Sequence, residues 1–441
     1  MQTTLDAELI GSLTERLRAA LKRDAERYPG DSHRRQPVHT VYGGAQLFSA
    51  ETPAKLGSLA AAAFDEYAGD PSVLASILGI SDDLSGVVHE RVREKLAREP
   101  IEDLRIDFED GYGIRPDDEE DAHAVSTADE MANALANGAL PPFVGIRVKA
   151  MSAEAHGRSI RTLDLFLTRL TEAAGRLPDN FLITLPKVVL AEQVSAFADV
   201  LDRLEKKLGI PGGTLRFEIM IESTRSIVTA DGRFAMPLFL DAAAGRLAGA
   251  HFGAYDHTAS CGITSANQDM LHQACDFARN MMQAAFGGTG FFLSDGATNI
   301  MPVGVHRGRD LDDRQRAENR SAVHRAWQVH YGHVRHSLAN GFYQGWDLHP
   351  AQIPTRYAAV YAFFLEGIET AAVRLRNFVD EAARATLVGD QFDDAATGQG
   401  LLLYFVRAVN CGAVSADYAA SLTGLTIEQL RSASFADIIK R

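Results

Sequence analysis

The sequence predicts a (β/α)8 barrel with a helix added before it and a helical region after it, and three observations predict that class. Five short apolar runs each close on a polar signature: DLRIDFEDG (103–111), VGIRVKA (144–150), ITLPKV (183–188), RFEIMIES (216–223) and GAHFGAYDH (249–257). A strand buried on both faces of a parallel sheet reads as such a continuous apolar stretch. The runs alternate with stretches of helical periodicity, the order that parallel strands require. The chain has 441 residues, too many for one small domain and suited to a barrel with additions.

Taken in order, residues 1–36 form a helical extension, with Leu9, Leu13, Leu17 and Leu21 at helical spacing before the turn-rich YPGDSHRRQP. The barrel is expected over 37–355. Its first strand is 38–42, followed by about 60 residues of helical pattern. Strands follow at 104–108, 144–148, 182–186, 215–221 and 250–254, with helices at 160–177 and 191–208 between the third, fourth and fifth. The acidic run RPDDEED (115–121) reads as a solvated loop or helix start. The seventh strand falls within GFFLSDGATNIMPVG and the eighth near 341–348. Residues 356–441 read as helices, the longest being YAAVYAFFLEGIETAAVRLRNF, and are expected to act as a lid or an oligomer arm.

Composition narrows the function. Hydrophobic residues make up 46% and charged residues 23%, as in an ordinary globular protein. A net charge of −14 argues against a nucleic-acid partner. No apolar run is long enough to span a bilayer, and the N-terminus lacks the pattern of a signal or transit peptide. Cys261, Cys275 and Cys411 show neither metal spacing nor an even disulfide framework. A reducing cytoplasm is the simple reading.

In a barrel of this class the strand C-termini line the active site. Here they carry Asp107, Glu109, Asp110, Arg147, Lys187, Glu222 and Asp256. Glu222 and Asp256 follow neighbouring strands, and two carboxylates with open positions suit Mg²⁺ or Mn²⁺. The bland alternative is a loop start at Glu222 and a helix cap at Asp256. Lys187 opens a rival Schiff-base chemistry, against the plainer reading of an ion pair with a nearby carboxylate. Strand alternation sets Asp107 and Glu109 on one face and Phe108 and Asp110 on the other. His349, after the eighth strand, reads equally as an acid/base group or as a buried histidine bonded to backbone.

Six motifs in order, DFEDG (107–111), RVK (147–149), LPK (185–187), IES (221–223), GAYDH (253–257) and LHPAQ (348–352), resemble those of the HpcH/HpaI aldolase and citrate lyase β-subunit superfamily, which includes the malyl-CoA lyases. The resemblance covers about residues 38–355. It implies a barrel of the phosphoenolpyruvate/pyruvate type and a divalent metal held by Glu222 and Asp256. It also implies that Arg147 grips a substrate carboxylate or carbonyl oxygen, with Gly253 and Ala254 of GAYDH and Lys187 of LPK against the substrate. The first strand, HTVYGGA, departs from the family's proline-containing turn and leaves a CoA thioester the less favoured substrate. Lys149 stands where the family has Asn, and His257 where it has Leu.

The chemistry that follows is carbon–carbon cleavage or formation on a small 2-oxo acid or its hydroxy-acid adduct, through an enolate that positive charge stabilises. Asp107, Glu109 and Asp110 would orient metal waters or move protons. Two other readings keep the fold: a phosphoenolpyruvate- or pyruvate-using enzyme, and a metabolite-binding barrel without catalysis. The resemblance further implies a homo-oligomer, a trimer or hexamer. The histidines at 324, 330, 333 and 336 lack the i, i+4 spacing of a helical zinc pair and read as packing or solvent-facing groups. The GGTG turn at 287–290 reads as a plain connection. Thr264, Ser265 and Asn267 lie in a loop near the site.

Overall fold

A computed structural model describes residues 4–30, 32, 34–308, 310–380, 386–388, 391–393, 395–432 and 438. Eight parallel strands close into a barrel in sequence order. They are β1 (His39–Gly44), β2 (Asp103–Asp107), β3 (Phe143–Arg147), β4 (Phe181–Leu185), β5 (Arg216–Ile221), β6 (Leu247–Phe252), β7 (Phe292–Ala297) and β8 (Gln344–Asp347). Closure comes from β8 pairing back onto β1, with His39 opposite Gly345 and Val41 opposite Asp347. Every expected strand is present, displaced from its sequence-based bounds by a few residues. The residues that extend the apolar runs, such as Phe108 and Val148, still bond to the neighbouring strand end but have left the ladder.

The period-2 alternation of each strand divides the barrel into two environments. Ile106, Ile146, Ile183, Phe217, Ile219 and Phe252 face outward and are buried in the apolar shell beneath the surrounding helices. The inward positions are polar. Thr40 Oγ1 donates to Asp103 at 2.9 Å, Arg105 pairs with both Asp103 and Glu218, and His251 Nε2 lies 2.9 Å from Glu218. Barrels of this class commonly fill their interior with branched apolar layers; here the middle layer is ionic. Gly145 permits the tight β3–β4 contact, because a Cβ there would lie 1.7 Å from the Leu182 carbonyl oxygen.

Long helices wrap the barrel. The helix at Ala191–Leu208 keeps the bounds expected of it, and Asp313–Ala339 starts on a capping box between Asp312 and Gln315. The single long helix expected after residue 356 is instead two, Ile353–Glu366 and Ile368–Asp380, broken at Gly367. Apolar periodicity runs through the break, so only the glycine marks it.

The described C-terminal helices pack away from the mouth. Arg407 lies 3.7 Å above the ring of Tyr343, just before β8, and Tyr404 donates to the Phe364 carbonyl. Within one chain the described residues of this region therefore pack against the end of the barrel where β8 begins. Among the described residues, no single helix is long and apolar enough to cross a membrane.

Candidate active site

The C-terminal ends of the strands surround a cavity of about 380 Å³. Its floor rests on the ionic layer. The Tyr42 and Trp346 rings stack with centroids 4.3 Å apart. Trp346 Nε1 donates to His251 Nδ1 at 2.8 Å. Since that ring nitrogen accepts, the other one carries the proton and donates to Glu218. A buried chain of hydrogen bonds thus fixes the indole.

Arg147, at the end of β3, lies above this floor, with its guanidinium carbon 4.9 Å from the Tyr42 ring centroid. Nε and Nη2 donate to the two oxygens of Asp107 at 2.7 and 2.5 Å, a bidentate fork. Asp107 also accepts from the backbone N–H groups of Glu109 and Gly111. Nη1 points away from the fork and lies 3.2 Å from Glu109 Oε2. Although burial works against the charge, the bond to Asp107 holds the Arg147 pKa above its ordinary value.

The next two strand ends supply the acids. Glu222 follows β5 and is buried; its Oε1 accepts from the Lys187 backbone N–H, and its Oε2 has no hydrogen-bond partner. Burial first, then the charge of Asp256, pushes the Glu222 pKa up to about 8. Asp256 is exposed in the first turn of the helix Ala254–Ser260, where the helix dipole favours a carboxylate. Gly253 lies close against Glu222, and a Cβ there would meet the Glu222 Cβ at 2.5 Å.

This donor set fits a divalent cation. A buried carboxylate oxygen without a partner, beside a second carboxylate on the same cavity wall, lacks only positive charge. Among the described residues no cluster of three or more metal-ligating side chains forms. A cation held here would keep positions for water and substrate oxygens, as Mg²⁺ does.

Lys187 sits between the two groups of acids. Its backbone is left-handed, φ 54°, uncommon for a side chain of its size. In that conformation its N–H reaches Glu222 while Nζ reaches Glu109 at 2.6 Å and Asp110 at 3.0 Å. Burial opposes its charge, but these partners raise the Lys187 pKa, so the amine is an ammonium and not the free base of an imine-forming lysine. Burial raises the Glu109 carboxyl, whereas for Asp110 the bond to Lys187 outweighs burial and lowers it.

Of the residues expected at the site, Asp107, Asp110, Arg147, Glu222, Gly253, Ala254 and Asp256 line the cavity. Three expectations change. The strand alternation assumed for 107–110 ends at Asp107, and the turn after it lets Glu109 and Asp110 share Lys187. Asp107 accepts from Arg147 and from two backbone N–H groups, which place it as the holder of Arg147. His349 is not a cavity residue: its Nδ1 accepts from the Ala351 backbone N–H and caps the turn 350–352, and burial lowers its pKa.

The histidines of the long helix bond separately, His330 to Asp347 and His333 to Thr298, and form no metal site. Thr264, Ser265 and Asn267 do not line the cavity. Sequence reading missed Tyr42, Met220 and Trp346. The available signal was their position: Met220 lies two residues from Glu218, Tyr42 lies opposite Arg105 on the next strand, and Trp346 lies two residues from Gln344 and opposite Thr40.

A closed parallel barrel with these motifs at its strand ends is in keeping with the resemblance to the HpcH/HpaI aldolase and citrate lyase β-subunit superfamily. The L-malyl-CoA/β-methylmalyl-CoA lyase of Haloarcula marismortui is 32% identical over 157 residues, 35% of this chain. The matched stretch spans only 41% of that enzyme. A citrate lyase of Burkholderia xenovorans LB400 superposes with a TM-score of 0.56 at 19% identity, covering 88% of this chain and 96% of that one. The magnesium/glyoxylate complex of Haloferax volcanii malate synthase is more distant, 14% identical with a TM-score of 0.47, covering 91% of this chain and 98% of that one. The chain belongs to the family described as domain of unknown function DUF6986, whose profile matches residues 17–438.

Proposed function

We propose that this protein is a Mg²⁺- or Mn²⁺-dependent carbon–carbon lyase or aldolase acting on a small hydroxy acid and its 2-oxo-acid fragment. The observation that carries the reading is the partnerless Oε2 of Glu222, set beside Asp256 in the cavity that Arg147 also lines. Glu222 and Asp256 would hold the cation, which when bound supplies Lewis-acid charge for an oxyanion.

The chain's own residues do the rest. Arg147, clamped by Asp107, presents its remaining Nη1 edge to a substrate carboxylate or carbonyl oxygen, and its charge is permanent. Fixed before the substrate arrives, it needs no reorganisation as negative charge develops. Tyr42, Trp346 and Met220 form an apolar floor that excludes water and limits the size of the reacting fragment.

In the cleavage direction the substrate hydroxyl loses its proton and becomes a carbonyl. The adjacent carbon–carbon bond breaks, and its electron pair passes into the enolate of the departing fragment, which then takes a proton on carbon. Asp110 lines the cavity and remains exposed to solvent, so it is placed to pass that proton between substrate and water. Lys187 holds Glu109 and Asp110 in position, and Gly253 and Ala254 form the wall beside Glu222. A CoA thioester remains the less favoured form of the substrate, because the first strand lacks the turn found in acyl-CoA members. A cytoplasmic setting belongs to the same reading and suits three cysteines that stay free.

The test is product analysis with Mg²⁺ and a panel of small β-hydroxy acids, free and as thioesters. Two carbon fragments should form, and EDTA should stop their formation. Turnover that survives EDTA but is killed by borohydride plus substrate would overturn the metal reading in favour of an imine.

A further inference from the structure

Among the described residues nothing buries the helix Ala7–Arg27. None of its 21 residues is buried, and its apolar stripe stands in solvent, with Leu13 50% and Leu17 58% exposed. Leu9, Leu13, Leu17 and Leu21 recur every four residues and form one row along the helix. Only its end is anchored: Arg27 pairs with Asp241, and the Gly30 N–H donates to the Gly288 carbonyl at 2.8 Å. In proteins most helical stability comes from packing an amphipathic face rather than from propensity.

The charges select what covers that face. Residues 6–15 carry Asp6, Glu8 and Glu15 and no base, whereas residues 16–27 carry five bases against two acids. The two halves thus bear three net charges of opposite sign. A parallel pair of these helices would set like charges side by side, and an antiparallel pair would set each half against its opposite. A register centred on residue 15 places Leu13 opposite Leu17, Leu9 opposite Leu21, and Glu8 opposite Lys22. Residues 6–27, the helix with its cap, carry no net charge and no aromatic residue, which removes the attraction and anchors of a helix that lies on an anionic membrane.

We infer that this helix pairs antiparallel with the same helix of a second copy of the chain, through a two-fold contact. Such a contact closes on itself and requires an even number of copies, so it fits a dimer or a hexamer of paired trimers but not a lone trimer.

The experiment is light scattering and sedimentation equilibrium on the full chain, with far-UV circular dichroism and a thermal melt to confirm an intact barrel. The double variant Leu13→Glu/Leu17→Glu should halve the number of copies per particle. Glu8→Lys alone and Lys22→Glu alone should each weaken the association about 10-fold, and the two together should restore it to within a few-fold. Only antiparallel pairing brings those positions together between chains, and they lie too far apart to meet within one helix. An unchanged mass in the double-leucine variant, or no rescue by the charge swap, overturns the inference. Pelleting of the parent chain with phosphatidylserine vesicles, lost in the double-leucine variant whose mass in solution is unchanged, would assign the stripe to a membrane instead.

Discussion

The middle layer of the barrel and its mouth are both buried and both ionic, yet they are opposite in kind. In the middle layer Glu218 accepts from Arg105, Thr184 and His251. Burial would raise its pKa, but Arg105 and His251 hold it well below the ordinary carboxylate range. One strand position higher on the same inward face comes Met220, and then Glu222. There burial and the charge of another carboxylate, Asp256, push the pKa up to about 8. Burial acts alike on both groups; the partners decide the sign. A carboxylate whose partners belong to the fold serves structure. A carboxylate whose partner is missing marks where a cation would bind.

That contrast can be broken by removing each acid. Glu218→Ala leaves Arg105 buried with Asp103 as its only remaining carboxylate, and should lower the unfolding free energy by about 3–5 kcal/mol in a denaturant titration. Glu222→Gln should not destabilise the metal-free protein, because burial and Asp256 already favour the neutral carboxylic acid there and the amide has the same shape. It should instead reduce turnover at least about 100-fold, about 2.7 kcal/mol of barrier. If the two variants exchange behaviours, the distinction between structural and functional layers fails.

Cation binding sharpens the same comparison. Mg²⁺ at about 100 times its dissociation constant should add about 2.7 kcal/mol of stability by linkage. A calorimetric or thermal-shift series would show this in the parent and in Glu218→Gln, provided that variant folds, and not in Glu222→Gln.

Acid should act on the satisfied acids. Asp347 accepts from Arg356 at 2.9 Å and His330 at 3.0 Å; despite burial, the Arg356 charge holds it well below its ordinary pKa. A carboxylate depressed in the folded state contributes stability above its unfolded pKa, about 4, and loses it as pH falls toward the folded value. Such a group is worth on the order of 2–3 kcal/mol. Unfolding free energies measured from pH 5 to pH 3 should therefore fall, and Asp347→Asn should flatten that slope while weakening the protein at neutral pH.

The same division explains what could be read from the sequence. Strand ends were legible because a buried parallel strand stays apolar until it stops, and Glu222, Asp256 and Arg147 stand where it stops. The ionic layer was not. Asp103, Arg105, Glu218 and His251 lie inside runs whose outward residues make the whole stretch read apolar. Their only mark is a period of two, as in 103, 105, 107 and 218, 220, 222. At His349 and Lys187 residue type and position at the mouth allow chemistry, but the plainer of the two readings holds: a capping bond occupies the one and two ion pairs the other. No propensity rule reports whether a partner is already present.

Gly253 offers the smallest and most local way to disturb one region without the other. It does not need glycine for its backbone, which has φ −98°. It needs glycine for space, since an added methyl would meet the Glu222 Cβ at 2.5 Å and Oε2 at 2.8 Å. Gly253→Ala must therefore displace the Glu222 side chain, while the Glu218 layer, two inward positions deeper, keeps its bonds. Overpacking of this kind should lower stability by about 1 kcal/mol. Mg²⁺ affinity measured by titration calorimetry should fall by about 10-fold or more, since ligand placement is what the methyl disturbs. A variant with unchanged Mg²⁺ affinity would mean that Glu222, as the fold holds it, is not a ligand, and the mouth would then differ from the middle layer only in being less completely paired.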